Sequence, residues 1–228
     1  MNSSCSIIPL QDKLENEATN NERGFKNMGC ASPNIFHWED LASQPVEKVS
    51  GQPGVKSATD GRSYEVQFLN AVYRVDPINR QIVELSPNPL RPLSEEFQIL
   101  LIRYLVANNG GPVTGQEISE KDLPGGVTFF QGPHALYVEP IVKLFGSTPD
   151  EFEKRARELG GVPATYGDRG MKFFAFPEIP VTYVLWTADN EFPASVNIMF
   201  DKSIEKWFSL DMIFLLSLIV TDRIVNKG

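Results

Sequence analysis

The sequence has little cysteine, little histidine and no long hydrophobic run. Its two cysteines, Cys5 and Cys30, lie near the start of the chain without Cys-x-x-Cys spacing, so the predicted core contains no cysteine. Two histidines are too few for a three-histidine zinc site. The longest apolar stretch, Ile213 to Val220, falls far short of the roughly 20 residues that cross a bilayer. The sequence therefore indicates neither a disulfide-built scaffold nor a membrane-spanning helix.

Clustered positive charge is also absent. The chain has 21 Lys and Arg against 29 Asp and Glu, a net charge of −8. Because nucleic acids and anionic membranes are bound through clustered cations, we expect neither as a partner. The first residues lack a cationic, apolar leader, and Asn2 excludes myristoylation, so we expect a cytoplasmic protein.

The common catalytic motifs are missing as well. The sequence has no Gly-x-Ser-x-Gly elbow, no His-Glu-x-x-His, no phosphate-binding loop ending in Gly-Lys-Ser/Thr, and no Gly-x-Gly-x-x-Gly. It identifies no catalytic residue and no cofactor, and it leaves open whether the protein is an enzyme.

Composition divides the chain at about residue 60. Residues 1–60 are rich in Asn, Gln, Ser, Thr, Gly and Pro, which predicts a largely flexible segment. Within it, residues 35–41 are expected to fold back as a short helix or clip. Residues 61–228 are predicted to form a single globular domain.

Hydrophobic periodicity predicts an α+β fold for that domain, with mainly antiparallel sheets packed by about four helices. Alternation predicts a three-strand meander over residues 64–85. Helix starts are indicated at Ser94, at Thr148 with a capping box, and at Ser209. Pro140 predicts a kink or two short helices between residues 133 and 145. Later strands are predicted at residues 162–166, 171–176, 181–186 and 195–200, with 181–186 central.

Aromatic residues around a Gly/Pro-rich stretch indicate a candidate ligand pocket. Three roles are open for His134 in this pocket: a metal or tetrapyrrole ligand, a general base, or a structural residue near a helix end. Tyr137 lies about one turn further on, and Glu139 is a further possible partner of His134. The predicted ligand-binding residues are Phe130, His134, Tyr137 and Trp186.

A turn between two apolar strands contains the second candidate site, formed by Asp189 and Glu191. Two carboxylates in a turn are suited to a hard cation or to acid-base chemistry, although such pairs are more often solvated. Asp201 lies about 20 Å away at the far end of the expected hairpin, too far to join them.

Five segments of the chain have a familiar sequence: Leu123-Pro124-Gly125-Gly126, Gly160-Gly161, Gly167-Asp168, Trp186 to Ser195, and Met199-Phe200-Asp201. Together they resemble domain-of-unknown-function family 3786, an uncharacterised family of mostly anaerobic bacteria and archaea. The resemblance covers about residue 64 to the C-terminus, and its most specific part is Glu-Phe-Pro-Ala-Ser. It implies a soluble, cytoplasmic protein of anaerobic metabolism and transfers no catalytic residue.

Three functions remain open at this point. The first is a non-enzymatic accessory protein of anaerobic metabolism that holds a small ligand, such as a tetrapyrrole-type cofactor, near His134. The second is a metal-assisted enzyme using Asp189 and Glu191. The third is an interaction module that docks a protein partner through residues 1–60.

Overall fold

The computed structural model describes residues 37–86, 93–107 and 110–226. Cys5, Cys30 and most of the segment predicted to be flexible lie outside the described residues. Within them the chain forms two antiparallel sheets and several helices, which confirms the α+β prediction.

The first sheet is a meander of four antiparallel strands in the order β1-β2-β3-β4. It contains the three predicted strands plus a short one before them. Asp76 shapes the third turn, because its Oδ1 accepts hydrogen bonds from the backbone of Ile78 and Asn79. The strands are β1 Val55–Ser57, β2 Tyr64–Phe68, β3 Ala71–Asp76 and β4 Gln81–Glu84.

Two short helices precede this sheet, α1 (Trp38–Ser43) and α2 (Val46–Ser50). Leu41 and Val49 are fully buried in the core. The expected clip is therefore confirmed as α1, and the described residues before position 61 include both helices and strand β1. Each of these helices buries only one or two apolar side chains, which is too few to give a visible period in the sequence.

Helix α3 spans Glu95–Val106, as predicted. The Ser94 hydroxyl accepts a hydrogen bond from the amide of Phe97 at 3.2 Å, which is a serine N-cap. At the other end, buried Gln52 donates from Nε2 to the carbonyls of Leu105 and Ala107. Gln52 thus ties the region before the first sheet to α3.

Short elements fill the middle of the chain. Pro140 lies in the first turn of its helix, so two short helices form, as predicted. The capping box expected at Thr148 is wrong: the Thr148 hydroxyl donates instead to the carbonyl of Leu144. The elements are strand β5 (Glu117–Ser119), α4 (Gly126–Phe129), a 3-10 turn (Gly132–His134), α5 (Glu139–Phe145) and α6 (Pro149–Glu158).

The second sheet has five strands, and the predicted apolar strand, β8 (Ile179–Trp186), lies at its centre. The order of the strands across the sheet is β5-β9-β8-β7-β6. Strands β8 and β9 form the expected hairpin, with Trp186 opposite Ser195. Tyr183 and Phe173 point into the core, whereas Phe174 and Trp186 are half-exposed on the outer face. The strands are β6 Val162–Ala164, β7 Arg169–Phe176, β8 Ile179–Trp186 and β9 Ser195–Asp201.

Helix α8 (Leu210–Val225) follows the short α7 (Ile204–Trp207) and packs against the inner face of the second sheet. The buried hydroxyl of Tyr183 donates to the Ser217 carbonyl at 3.0 Å, which joins the central strand to this helix. Ser209 precedes the helix but makes no capping bond with its side chain, contrary to expectation. In the described residues, no helix combines the length and apolarity that crossing a bilayer requires.

Candidate functional site

The loop between β8 and β9, residues 187–194, is held in place by carboxylates. Asp168 accepts hydrogen bonds from both the amide and the hydroxyl of Thr187, at 2.7 and 2.6 Å. These bonds lower the pKa of Asp168. Asp168 therefore fixes the first residue of the loop to the turn before β7.

Asp189 shapes the tip of the same loop. Its Oδ1 accepts the amides of Phe192 at 2.7 Å and Glu191 at 2.8 Å, and these bonds lower the pKa of Asp189. Among the described residues, no group of three or more His, Cys, Asp or Glu side chains is arranged to hold a metal. Metal binding by Asp189 and Glu191 stays a prediction, although the geometry gives Asp189 a clear role in the turn.

The end of this loop packs closely on helix α5. A Cβ placed on Gly146 would lie 2.8 Å from the Cβ of Ala194 and 2.6 Å from the Val142 carbonyl oxygen. Only a glycine at position 146 permits this approach, so α5 and the loop are held against each other.

The segment before α5 is anchored by His134. Its ring stacks on Phe129 with 4.6 Å between centroids and meets Phe214 of α8 edge-on at 5.5 Å. Phe130 is partly buried and packs against the core. His134 thus joins the 3-10 turn to the long C-terminal helix.

An open groove of about 520 Å³ lies between two walls. One wall is formed by residues 132–142 and the other by residues 194–196. This volume falls within the range of roughly 300 to 1,000 Å³ typical of small-molecule sites. Most lining side chains are apolar, and the polar ones are Tyr137, Glu139 and Ser195. The lining residues are Gly132, Pro133, Ala135, Leu136, Tyr137, Val138, Glu139, Val142, Ala194, Ser195 and Val196.

The structure brings the predicted ligand-binding residues to different places around this groove. Tyr137 lines it. His134 and Phe130 pack behind one wall, and Trp186 lies on the strand beside Ser195. A ligand in the groove would thus contact Tyr137, whereas the other three predicted residues lie outside the lining.

Sequence reasoning missed the second wall of the groove. Ala194 and Ser195 belong to the segment that carries the family resemblance, but no residue pattern indicated that they face residues 132–142. The sequence suggests Glu139 only as a partner of His134. The one signal for the second wall is the run Phe192-Pro193-Ala194-Ser195, because proline and small residues leave space next to a strand.

The family described as domain of unknown function (DUF3786) matches residues 46–223. The chain belongs to this family. The DUF3786 region includes both walls of the groove and begins with helix α2, well before the first strand predicted from sequence. No curated protein and no solved structure matches the chain.

Replacement of Asp168 by alanine is expected to loosen the loop of the DUF3786 region without unfolding it. The variant loses two hydrogen bonds to Thr187 at an exposed position, so local opening of the loop becomes easier. Hydrogen exchange of the Thr187 amide measures this as a roughly fivefold acceleration. Asp211→Ala, an exposed change on α8, is the control and should leave that amide unaffected. Equal exchange in both variants would show that Asp168 does not hold the loop.

Proposed function

We propose that this protein is a non-enzymatic accessory protein that binds a small ligand in the groove between residues 132–142 and 194–196. The observation that carries the proposal is the groove itself, with a volume of about 520 Å³ and a largely apolar lining. Its walls are held by close packing and by hydrogen bonds, so the site is preorganised. Preorganisation lowers the entropic cost of binding.

The acidic residues near the groove support binding rather than catalysis. Asp168 and Asp189 direct their oxygens to backbone amides, and these bonds lower the pKa of both carboxyl groups. A general acid or base works best with a pKa near the operating pH, whereas the pKa values of Asp168 and Asp189 are shifted away from neutral pH. These carboxylates therefore suit the shaping of a loop better than proton transfer.

A cytoplasmic location and a place in anaerobic metabolism belong to the same proposal. The acidic composition and the absence of cysteine from the described residues support the cytoplasmic location. The second rests on the family resemblance alone. The alternative of a protein partner docking through residues 1–60 stays a prediction, because residues 1–36 lie outside the described residues.

Filling the groove is expected to weaken the binding of a neutral apolar probe. Ser195 is exposed and lines the groove, so a tryptophan there occupies the space with little effect on the core. Asn197→Trp is the matched control, because Asn197 is exposed two residues along the same strand but does not line the groove. Titration with Nile red, followed by its fluorescence, measures the difference.

We expect saturable binding of one Nile red molecule per chain by the wild type and by Asn197→Trp. Ser195→Trp should bind about tenfold more weakly, because the tryptophan ring displaces the probe from the apolar surface. Equal binding by the two variants, or no saturable binding by the wild type, would rule out the groove as the site.

A further inference from the structure

The groove has an unequal distribution of charge. Among the residues that the structure describes, its lining contains one carboxylate, Glu139, and no lysine, arginine or histidine. The nearest cationic residue in sequence, Lys143, lies one turn further along α5 and is not part of the lining. A negatively charged ligand would therefore find no cation in the groove, whereas a positively charged one would find a carboxylate.

Glu139 has no competing partner in the described part of the chain. It takes part in no ion pair there, in contrast to several other exposed glutamates such as Glu65, Glu153 and Glu158. It is exposed, so a ligand can approach it without breaking an existing bond. The carboxylate is thus available to a cationic group.

The rest of the lining defines the body of such a ligand. Leu136, Val138, Val142 and Val196 present carbon atoms, which favour an apolar or aromatic moiety. Ser195 adds a hydroxyl from the opposite wall, which can accept a hydrogen bond from an ammonium group as well as donate one. The net charge of −8 raises the local concentration of cations around the protein.

We infer that the groove takes a small molecule that carries a protonated amine on an apolar body, with Glu139 as the residue that selects the charge. This inference rests on the proposed binding function. It goes further in assigning a ligand class and a specificity-determining residue.

Three probes that share one apolar body test the selection of charge. They are 4-phenylbutan-1-amine, 4-phenylbutan-1-ol and 4-phenylbutanoate, which are positive, neutral and negative at pH 7. Each is titrated into the full chain at low salt, and binding is followed by amide chemical shifts in NMR spectra. Because Glu139 is exposed, we expect the amine to bind about two- to fivefold more tightly than the alcohol and the acid to bind most weakly.

Substitution of Glu139 identifies the group responsible. Glu139→Gln should reduce the affinity for the amine to that for the alcohol and leave the alcohol unchanged. Glu205→Gln, an exposed glutamate on α7 outside the groove, is the control and should preserve the order of the three probes.

Two results would overturn the inference, and they differ in what they say about the proposed function. Equal binding of all three probes, unchanged by Glu139→Gln, would show a binding groove without charge selection. Binding of none of the three would also remove the inference, and the Nile red titration of Ser195→Trp would then decide whether the groove binds ligands at all.

Discussion

Replacement of Arg155 by methionine is expected to lower the free energy of unfolding by about 3 kcal/mol. Arg155 lies on α6, and its side chain is only 10% exposed. Its guanidinium donates to the carbonyls of Arg223 at 2.7 Å, Ile224 at 3.0 Å and Asn226 at 2.7 Å. These carbonyls belong to the last turn of α8, where no partner within the helix is available.

The size of the effect follows from the charge and burial of these bonds. A hydrogen bond to a charged group contributes about 1.5 to 3 kcal/mol, and bonds that share one donor group do not add fully. Methionine retains much of the buried stem but donates no hydrogen bond, so the carbonyls lose their partner. Because α8 packs on the central strand through Tyr183, loosening its end weakens the whole core.

Urea denaturation of the wild type and two variants measures this prediction. Arg157→Met is the matched control, because Arg157 lies on the same helix, is exposed, and within the described ranges its side chain bonds only Glu153. An exposed pair of this kind contributes less than about 1 kcal/mol. If the two variants were equally stable, Arg155 would not be the cap of α8.

Replacement of Asp201 by asparagine is expected to cost about 2 to 3 kcal/mol at neutral pH. Asp201 ends β9 and is only 3% exposed. Its Oδ1 accepts from the amides of Thr114 and Ser203 and from the Thr114 hydroxyl, and its Oδ2 accepts from the Gly115 amide at 2.7 Å. Asparagine keeps one acceptor oxygen, but its NH₂ group would face an N–H donor.

Asp189→Asn is the control for this substitution. Asp189 is exposed and uses only Oδ1 for the loop amides, so an asparagine oxygen can replace it. We expect the free energy of unfolding of Asp189→Asn to stay close to that of the wild type. Thermal or urea unfolding of both variants at pH 7 tests the contrast, and a larger loss for Asp189→Asn would contradict it.

The effect of Asp201 should depend on pH in a defined window. Burial raises the pKa of Asp201, but hydrogen bonds from Ser203 and Thr114 outweigh it and lower the pKa to about 2. The unfolded chain binds this proton at a higher pH, near the ordinary aspartate pKa of about 3.9. The stabilisation is therefore fully present above about pH 5 and is lost as the pH falls toward 2.

The difference in stability between wild type and Asp201→Asn should accordingly shrink as the pH is lowered from about 5 to 2. The pKa difference corresponds to about 2.5 kcal/mol, in line with the expected cost of the substitution. A difference that stays constant down to pH 2 would show that the charge of Asp201 does not stabilise the fold.

Much of the fold was predictable because periodicity and caps are local signals. Helix α3 follows from its serine cap and apolar spacing, and β8 and β9 follow from their apolar strands. Helix α2 is too short to show a period in the sequence, whereas α1 corresponds to the short helix or clip predicted at residues 35–41. Strand β5 has only three residues and acquires its structure by pairing with β9, a contact that sequence alone does not reveal.

The site was predictable only in part, for a similar reason. The aromatic stretch around His134 indicated one wall, and Tyr137 does line the groove. The other wall comes from Ala194 and Ser195, about 60 positions further along, and it is positioned by the contact of Ala194 with Gly146. Long-range packing of small residues leaves little mark in the sequence.

Ligand binding in the groove is tested most directly by a map of where a small apolar molecule binds. Amide chemical shifts of the full chain are recorded while 4-phenylbutan-1-ol is added. Binding in the groove predicts saturable changes confined to residues 132–142 and 194–196 and their neighbours. Changes centred instead on Tyr166 and Phe174, two half-exposed aromatic residues away from the groove, would contradict binding in the groove.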